Sequence, residues 1–499
     1  MVKSLYISLL FPILLGYLIG CSKTEYTNGS SNLIKGGAYF VASWGNDADS
    51  GSFEKPWGTW QKAFETAKPG DTVYFRGGVW YPTSHSYYYN SVACIAPYDI
   101  PNIGYDGKPD SLICYFNYPG ETPILDCSKV IINGKYSTGV NFFYTNFLHF
   151  KGLTIRNVYQ PESGEVATGI GGWTCGNMTF ENLTVHDIGG RGYSYFAAFG
   201  IPAANGGPNV DYGYDSTRWI NCDAYNCADM LSEDPGNGAD GWKIQNYPGS
   251  YFYLEGCRAW TCTDDGFDMS GPMVGVFNNC WSFSHGFEGA LDGNGFKIGA
   301  VWDSITMPSR IVHNCIAAFN NRNGFGELEF STPGFPLYRN NSRIFNNIAY
   351  KNSIGFSGSG RDDNPQKPWL LSKYYNNISY GSTGKTAIGI ISNVEIAGIY
   401  TESHNSWDCG EAPTGSCCWG IQVTDTVTIT DEDFVSLIPS GLSGPRQSDG
   451  SLPNINFLKL AKGSDLIDAG VEVVLPEFYK KKPGINGIKP DMGAFESNY

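Results

Sequence analysis

One short motif recurs along the middle of this chain, and a repeat of such a period decides the architecture before any single residue is weighed. Phe150-Lys-Gly-Leu-Thr-Ile, Phe180-Glu-Asn-Leu-Thr-Val, Trp219-Ile-Asn-Cys-Asp-Ala, Leu254-Glu-Gly-Cys-Arg-Ala, Phe277-Asn-Asn-Cys-Trp-Ser, Val312-His-Asn-Cys-Ile-Ala, Phe345-Asn-Asn-Ile-Ala-Tyr and Tyr375-Asn-Asn-Ile-Ser-Tyr align without gaps. Each reads as a short strand centred on Asn or Gly. With Gly152, Asn182, Asn221, Gly256, Asn279, Asn314, Asn347 and Asn377 as centres, the intervals are 30, 39, 35, 23, 35, 33 and 30 residues. The interval of 23 leaves no room for a strand, a covering helix and a return, but it suits one coil of a parallel β-helix. Longer intervals then carry loop insertions. A coil of this kind cannot bury its inner face alone, so stability comes from stacking, with like residues over like in columns.

The rest of the sequence fits an all-β, single-domain chain. Gly is abundant, at 63 residues, and apolar runs are short. Near the start, Tyr39-Phe-Val-Ala-Ser, Gly45-Asn-Asp and Trp57 to Ala67 predict a strand, a turn and a short helix capping the open end of the stack. Ile467-Asp-Ala-Gly and Pro490-Asp-Met-Gly-Ala-Phe-Glu predict a last irregular coil, with Cys409 to Pro439 as a loop or flanking cap.

Residues 1–20 combine Lys3, an apolar stretch from Leu9 to Ile19 and the box Leu18-Ile19-Gly20-Cys21, which reads as an export signal with Cys21 as the lipidated residue. Residues 21–36 then form a tether. Residues 37–499 form the β-helix domain, with 37–80 as cap and first coil and 405–499 as C-terminal coils and cap. No later segment is apolar enough to span a bilayer. The expected address is outside the cytoplasm, lipid-anchored to the outer membrane of a bacterium, with a monomer as the working unit. A net charge of −15 without basic runs argues against nucleic acid as a partner.

Fourteen cysteines in an exported chain suggest some pairing. Cys222, Cys257, Cys280 and Cys315 share one repeat position and predict a buried column of small side chains. Cys409 with Cys417 or Cys418, and Cys227 with Cys262, are the disulfide candidates.

A second column carries the chemistry. Gly241-Trp242, Gly266-Phe267, Gly295-Phe296, Gly324-Phe325 and Gly355-Phe356 mark the next strand of successive coils. If the ring points inward, its neighbour points outward. The outward residues are then Lys243, Asp268, Lys297, Gly326 and Ser357, and those before the glycine are Asp240, Asp265, Asn294, Asn323 and Ile354, with Asp264 beside Asp265. Adjacent coils lie ~4.8 Å apart, so Asp240, Asp264, Asp265 and Asp268 converge within two turns. Like charges so close repel unless a cation sits among them, and calcium, which takes 6–8 oxygens in loose geometry, is the fitting ion. Any one Asp here could instead bond local backbone as an Asx turn. Lys297 stands one coil beyond Asp268, on the outer face of a groove. A nearby cation and partial burial would lower its pKa and make it a base, while the competing role is an ion pair with Asp268 or Asp292.

Asp264-Asp-Gly-Phe-Asp268, with Asn237-Gly-Ala-Asp-Gly-Trp before it and Gly293-Asn-Gly-Phe-Lys-Ile-Gly299 after it, resembles polysaccharide lyase family 9. The resemblance implies a right-handed parallel β-helix enzyme that cleaves a galacturonate-containing plant cell-wall glycan by β-elimination. It implies Ca2+ held by Asp240, Asp264, Asp265 and Asp268, with Lys297 as catalytic base. Arg322, one coil past Lys297, is a candidate to clamp a substrate carboxylate. A composition of 33 Lys and Arg with 32 Tyr and 13 Trp favours a sparsely basic, aromatic groove, and thus rhamnogalacturonan I slightly over polygalacturonate. The alternatives are a glycoside hydrolase on the same scaffold and a non-catalytic glycan-binding lipoprotein.

Overall fold

The computed structural model describes residues 36–85, 90–98, 102–197, 216–246, 251–271, 273–287, 292–299, 301–302, 310–327, 338–339, 341–359, 372–383, 387–390, 401–406, 429–476, 478–479 and 484–499. The lipobox at Cys21, the tether up to residue 35 and the pair Cys409 with Cys417 or Cys418 lie outside these residues. Among the described residues no helix is long and apolar enough to cross a membrane.

The shortest interval shows the unit of construction. Tyr251–Glu255 lies in a first sheet, Arg258–Cys262 in a second and Phe267–Ser270 in a third, and Val274–Asn278 then re-enters the first sheet beside Tyr251–Glu255. Repetition of this circuit builds three parallel sheets of 12, 10 and 10 strands, the predicted β-helix. Longer coils carry insertions, among them the antiparallel ribbon of Val301–Trp302 and Tyr338–Arg339.

Each corner between the first and second sheets needs one residue in the left-handed region. Gly152, Asn182, Asn221, Gly256, Asn279 and Asn314 take it, with φ between 53° and 68°. Asn tolerates this conformation better than most residues, which explains the recurring Asn or Gly. In the last two coils the gapless alignment is one residue out. The left-handed residues there are Asn346 and Asn376, because Cys315 stacks over Asn347 and Ile316 pairs with Ile348.

The thiols of Cys222, Cys257 and Cys280 donate across the corner to the carbonyls of Phe180, Trp219 and Leu254 at 3.3–3.4 Å. Asn347 and Asn377 take over that position with side-chain N–H bonds to Val312 and Ile344. Asn347 Nδ2 also donates to Asn377 Oδ1 at 2.9 Å, and Asn377 to Asn405 at 2.9 Å. Amide and thiol are interchangeable in the column because both fill a small buried space and donate to the same carbonyl.

Cys227 and Cys262 are in register on neighbouring strands but are free thiols, contrary to the disulfide expectation. Each Sγ turns toward a carbonyl of its own strand, at 3.8 and 3.7 Å. They continue a column begun by Val158 and Ile188, where they act as small apolar fillers.

The predicted cap helix runs over Trp60–Thr66, with the Thr59 hydroxyl accepting from Lys62 N–H. Its Gln61 side chain bonds both the N–H and the C=O of Cys94, at 2.8 and 3.2 Å. Ser91–Ile95 is the terminal strand of the third sheet, so this amide covers an edge that would otherwise invite another chain.

At the other end the structure departs from the sequence reading. The described residues of 429–499 add no strand to the stack. Phe434, Leu442, Leu452, Ile455 and Phe457 pack on Trp281, Phe283, Ile316 and Ile348 of the second sheet, so this segment runs back along the outside of the helix. The Asp491-Met-Gly segment packs on the corner at Asn346 and Asn376. Asp223 anchors the strap midway, accepting from Arg258 at 2.8 and 2.9 Å and from Arg446 of the strap at 2.6 and 3.1 Å. Arg258 and Arg446 also donate to the carbonyls of Leu442, Gly444 and Gly450 in the strap. Asp223→Ala would leave the buried guanidinium of Arg258 and the partly buried one of Arg446 without their counter-charge, and breaking a buried pair costs roughly 3–5 kcal/mol. We expect earlier denaturant unfolding and faster proteolysis of residues 429–460; an unchanged profile would show that the apolar contacts suffice.

Candidate active site

The aromatic column behind the site fixes the register. Tyr193, Trp242, Phe267, Phe296, Phe325 and Phe356 stack inward on successive coils with centroids 4.6–5.0 Å apart. Each such pair adds ~0.5–1.5 kcal/mol beyond the burial of the rings. The glycine before each ring is required by close approach. A Cβ on Gly295 would lie 2.7 Å from both Asn320 Nδ2 and the Gly324 carbonyl. With the rings inward, strand alternation sets Lys243, Asp268 and Lys297 outward in direct register, as predicted.

The column before the glycines forms a polar ladder. Asn323 donates through N–H and side chain to Asn294 Oδ1, at 3.2 and 2.7 Å, and Asn294 donates in the same way to Asp265 Oδ1, both at 2.7 Å. The Asp265 N–H in turn approaches Asp240 Oδ1 at 3.3 Å. Each aspartate therefore uses one oxygen to hold the ladder and turns the other away. Asp240 Oδ2, Asp264 Oδ1 and Asp265 Oδ2 are buried and accept no hydrogen bond. One oxygen from each of Asp240, Asp264 and Asp265 falls within 4.8 Å of the others. Buried carboxylate oxygens at this separation match a cation that takes oxygen ligands at ~2.3–2.6 Å. Asp268 is not one of these three; it lies beside them, 3 % exposed and paired with Lys243 and Lys297.

Lys297 lies over this nest. Its Nζ is 3.0 Å from Asp265 Oδ2, 3.3 Å from Asp268 Oδ2 and 3.9 Å from Asp292 Oδ2. Lys243 pairs with Asp268 from the opposite coil and reaches Asp240 Oδ2 at 3.9 Å. Two ammonium groups thus bracket Asp268. Lys297 sits on the outward face as expected, but at 8 % exposure it is enclosed by its partners rather than open to solvent.

The electrostatics follow from burial and crowding. Burial, with Asp268 and Asp265 as neighbours, pushes Asp240 up to about 7, and burial with Asp240 and Asp265 pushes Asp264 up to about 10. Asp265 is raised by burial and by Asp268, although Lys297 opposes the rise. Burial acts upward on Asp268 too, but Lys243 and Lys297 overrule it and hold that carboxyl below its usual range. For Lys297 burial acts downward, but Asp268, Asp265, Asp240 and Asp264 outweigh it and keep the ammonium charged, which matches the ion-pair role weighed for it.

Of the five residues singled out for metal binding and proton transfer, Asp240, Asp264 and Asp265 form one group, Lys297 overhangs it, and Asp268 stands beside it between Lys243 and Lys297. Arg322 is half-exposed, with Nε 3.5 Å from Asp292 Oδ1, a carboxylate that also faces Lys297. Sequence reading missed Arg191. Gly192-Tyr193 continues the Gly-aromatic series, which puts Arg191 in the column of Asp240 and Asp265, one coil earlier. The signal was present in the sequence, but the interval of 49 from Tyr193 to Trp242 hid it.

Fold and site together define a right-handed parallel β-helix protein with an acidic nest and an overhanging lysine on one outer sheet. The chain belongs to the family described as Pel9A-like, right handed beta helix region, whose profile matches residues 39–376. It is 27% identical to pectate lyase L of Dickeya dadantii (strain 3937) over 514 residues, covering 97% of this chain and 96% of that protein. Among solved structures it is similar to pectate lyase Pel9A, with TM-score 0.63 and 24% identity, covering 93% of this chain and 96% of that one. A rhamnogalacturonan lyase matches with TM-score 0.59 and 22% identity, covering 86% of this chain and 97% of that one. These two likenesses bear on the fold.

Proposed function

We propose that this chain is a calcium-dependent polysaccharide lyase that cleaves a galacturonate-containing pectic backbone, rhamnogalacturonan I or polygalacturonate, by β-elimination. The observation that carries this reading is the placement of Lys297 Nζ 3.0 and 3.3 Å from two carboxylates of a buried acidic nest on the neighbouring coil. The names of the relatives, pectate lyase and rhamnogalacturonan lyase, agree with it.

Asp240, Asp264, Asp265 and Asp268 would hold the ion. When bound, Ca2+ would offset the carboxylate charge and polarise the uronate carboxylate, favouring loss of the C5 proton. Lys297, as neutral amine, accepts that proton at Nζ. Asp265 and Asp268 hold Nζ in place, and Lys243 keeps Asp268 ionised against its burial. The electron pair left at C5 forms the C4–C5 double bond as the C4–O4 bond breaks, giving a 4,5-unsaturated uronate.

Purified protein on both backbones, with and without a chelator, is expected to release ultraviolet-absorbing unsaturated ends that disappear on chelation. New reducing ends without unsaturation would indicate hydrolysis instead, which needs an acid and base pair flanking the scissile bond. Binding without turnover would leave a glycan receptor. In the same reading, residues 1–20 export the chain and Cys21 anchors it by lipid outside the cytoplasm, which brings it to an extracellular glycan. Incorporation of labelled fatty acid should be lost in Cys21→Ala, and labelling that persists would refute the anchor.

A further inference from the structure

Arg191 is the cation nearest the nest that none of the chemistry above uses. It lies one coil before Asp240 in the ladder column, on the third sheet, with its side chain 28% exposed. Its closest charge is Asp240 Oδ2, 4.0 Å from Nε, too far for a hydrogen bond. Nε is buried and has no hydrogen-bond partner, and among the described residues no other ion pair is made by this guanidinium. A buried Nε–H without an acceptor is costly, so this guanidinium is not fully satisfied by the protein itself.

A divalent ion in the nest would draw Asp240 away from Arg191 and leave the guanidinium to an acceptor supplied from outside. A planar, partly exposed guanidinium suits a carboxylate bidentately, which an ammonium cannot match.

We infer that Arg191 is a substrate-binding residue that takes a carboxylate of the acidic glycan on the N-terminal side of the nest. Arg191 lies two coils from Asp265, ~10 Å along the helix axis. The carboxylate it takes therefore belongs to a sugar near the cleavage point rather than to the one that loses its proton. This inference rests on the lyase reading of the site.

The test uses oligosaccharides of whichever backbone the wild-type protein cleaves, titrated calorimetrically into Lys297→Ala and into Lys297→Ala with Arg191→Met. Loss of one charge-assisted bidentate contact should weaken binding about 10- to 100-fold. Arg191→Lys should recover only part of it. In the active background, KM should rise by a similar factor with a smaller fall in kcat, and the effect should vanish on methyl-esterified substrate. Calcium affinity and the thermal midpoint should hold in both variants. If they fall together with binding, Arg191 merely supports Asp240 and the inference is wrong; unchanged binding overturns it as well. A wild-type protein that forms no unsaturated product on either backbone removes the lyase reading itself, a separate result from an active enzyme indifferent to Arg191.

Discussion

Lys297→Ala is expected to reduce the release of unsaturated product by at least about 10²–10⁴-fold, the range contributed by a positioned general base. Folding should survive, because Lys243 still pairs with Asp268 and the inward Phe296 is untouched. Calcium affinity should hold or rise. Lys297 now neutralises Asp265 and Asp268 at 3.0 and 3.3 Å, and without it the nest is more negative toward a divalent ion. Lys297→Arg sharpens the test. A guanidinium keeps the positive charge but does not release its proton, so this variant should be as inactive as the alanine one. Wild-type rates in Lys297→Arg would mean that the residue acts only through its charge.

The second large effect is expected at Asp265. Asp265→Asn preserves volume and the Oδ1 that accepts from Asn294, so the ladder and thermal midpoint should be retained. It replaces Oδ2, which is buried and faces Lys297 Nζ at 3.0 Å, with an N–H donor that cannot ligate a cation. Apparent calcium affinity should fall by more than about 100-fold, beyond what loss of an outer-shell partner costs. Activity should fall with it and return in part at high calcium. Activity lost at unchanged calcium affinity would assign Asp265 to positioning Lys297 and not to the ion.

The parts of this molecule built from columns were readable in sequence, because coil stacking turns spacing into contact. Trp242, Phe267, Phe296 and Phe325 pair in the predicted register, and with them the outward series Lys243, Asp268 and Lys297. The same logic failed by one residue where Asn follows Asn, since both Asn346 and Asn347 suit a corner and only three-dimensional pairing separates them. It failed for Cys227 and Cys262, because register alone does not say which way a thiol turns. The strap beyond residue 429 has no repeat, and its attachment rests on Asp223 meeting Arg446 across 223 positions of sequence. The charge state of Lys297 was legible only as two alternatives, because it depends on the sum over four surrounding carboxylates, which no single spacing reveals.

The central claim is that the four aspartates form one divalent-cation site directly beneath Lys297. Anomalous diffraction from crystals grown with calcium tests it most directly. The account predicts a single strong peak within bonding distance of Asp240, Asp264, Asp265 and Asp268, on the coil next to Lys297. A peak elsewhere on the helix, or none in the nest at saturating calcium, would contradict it.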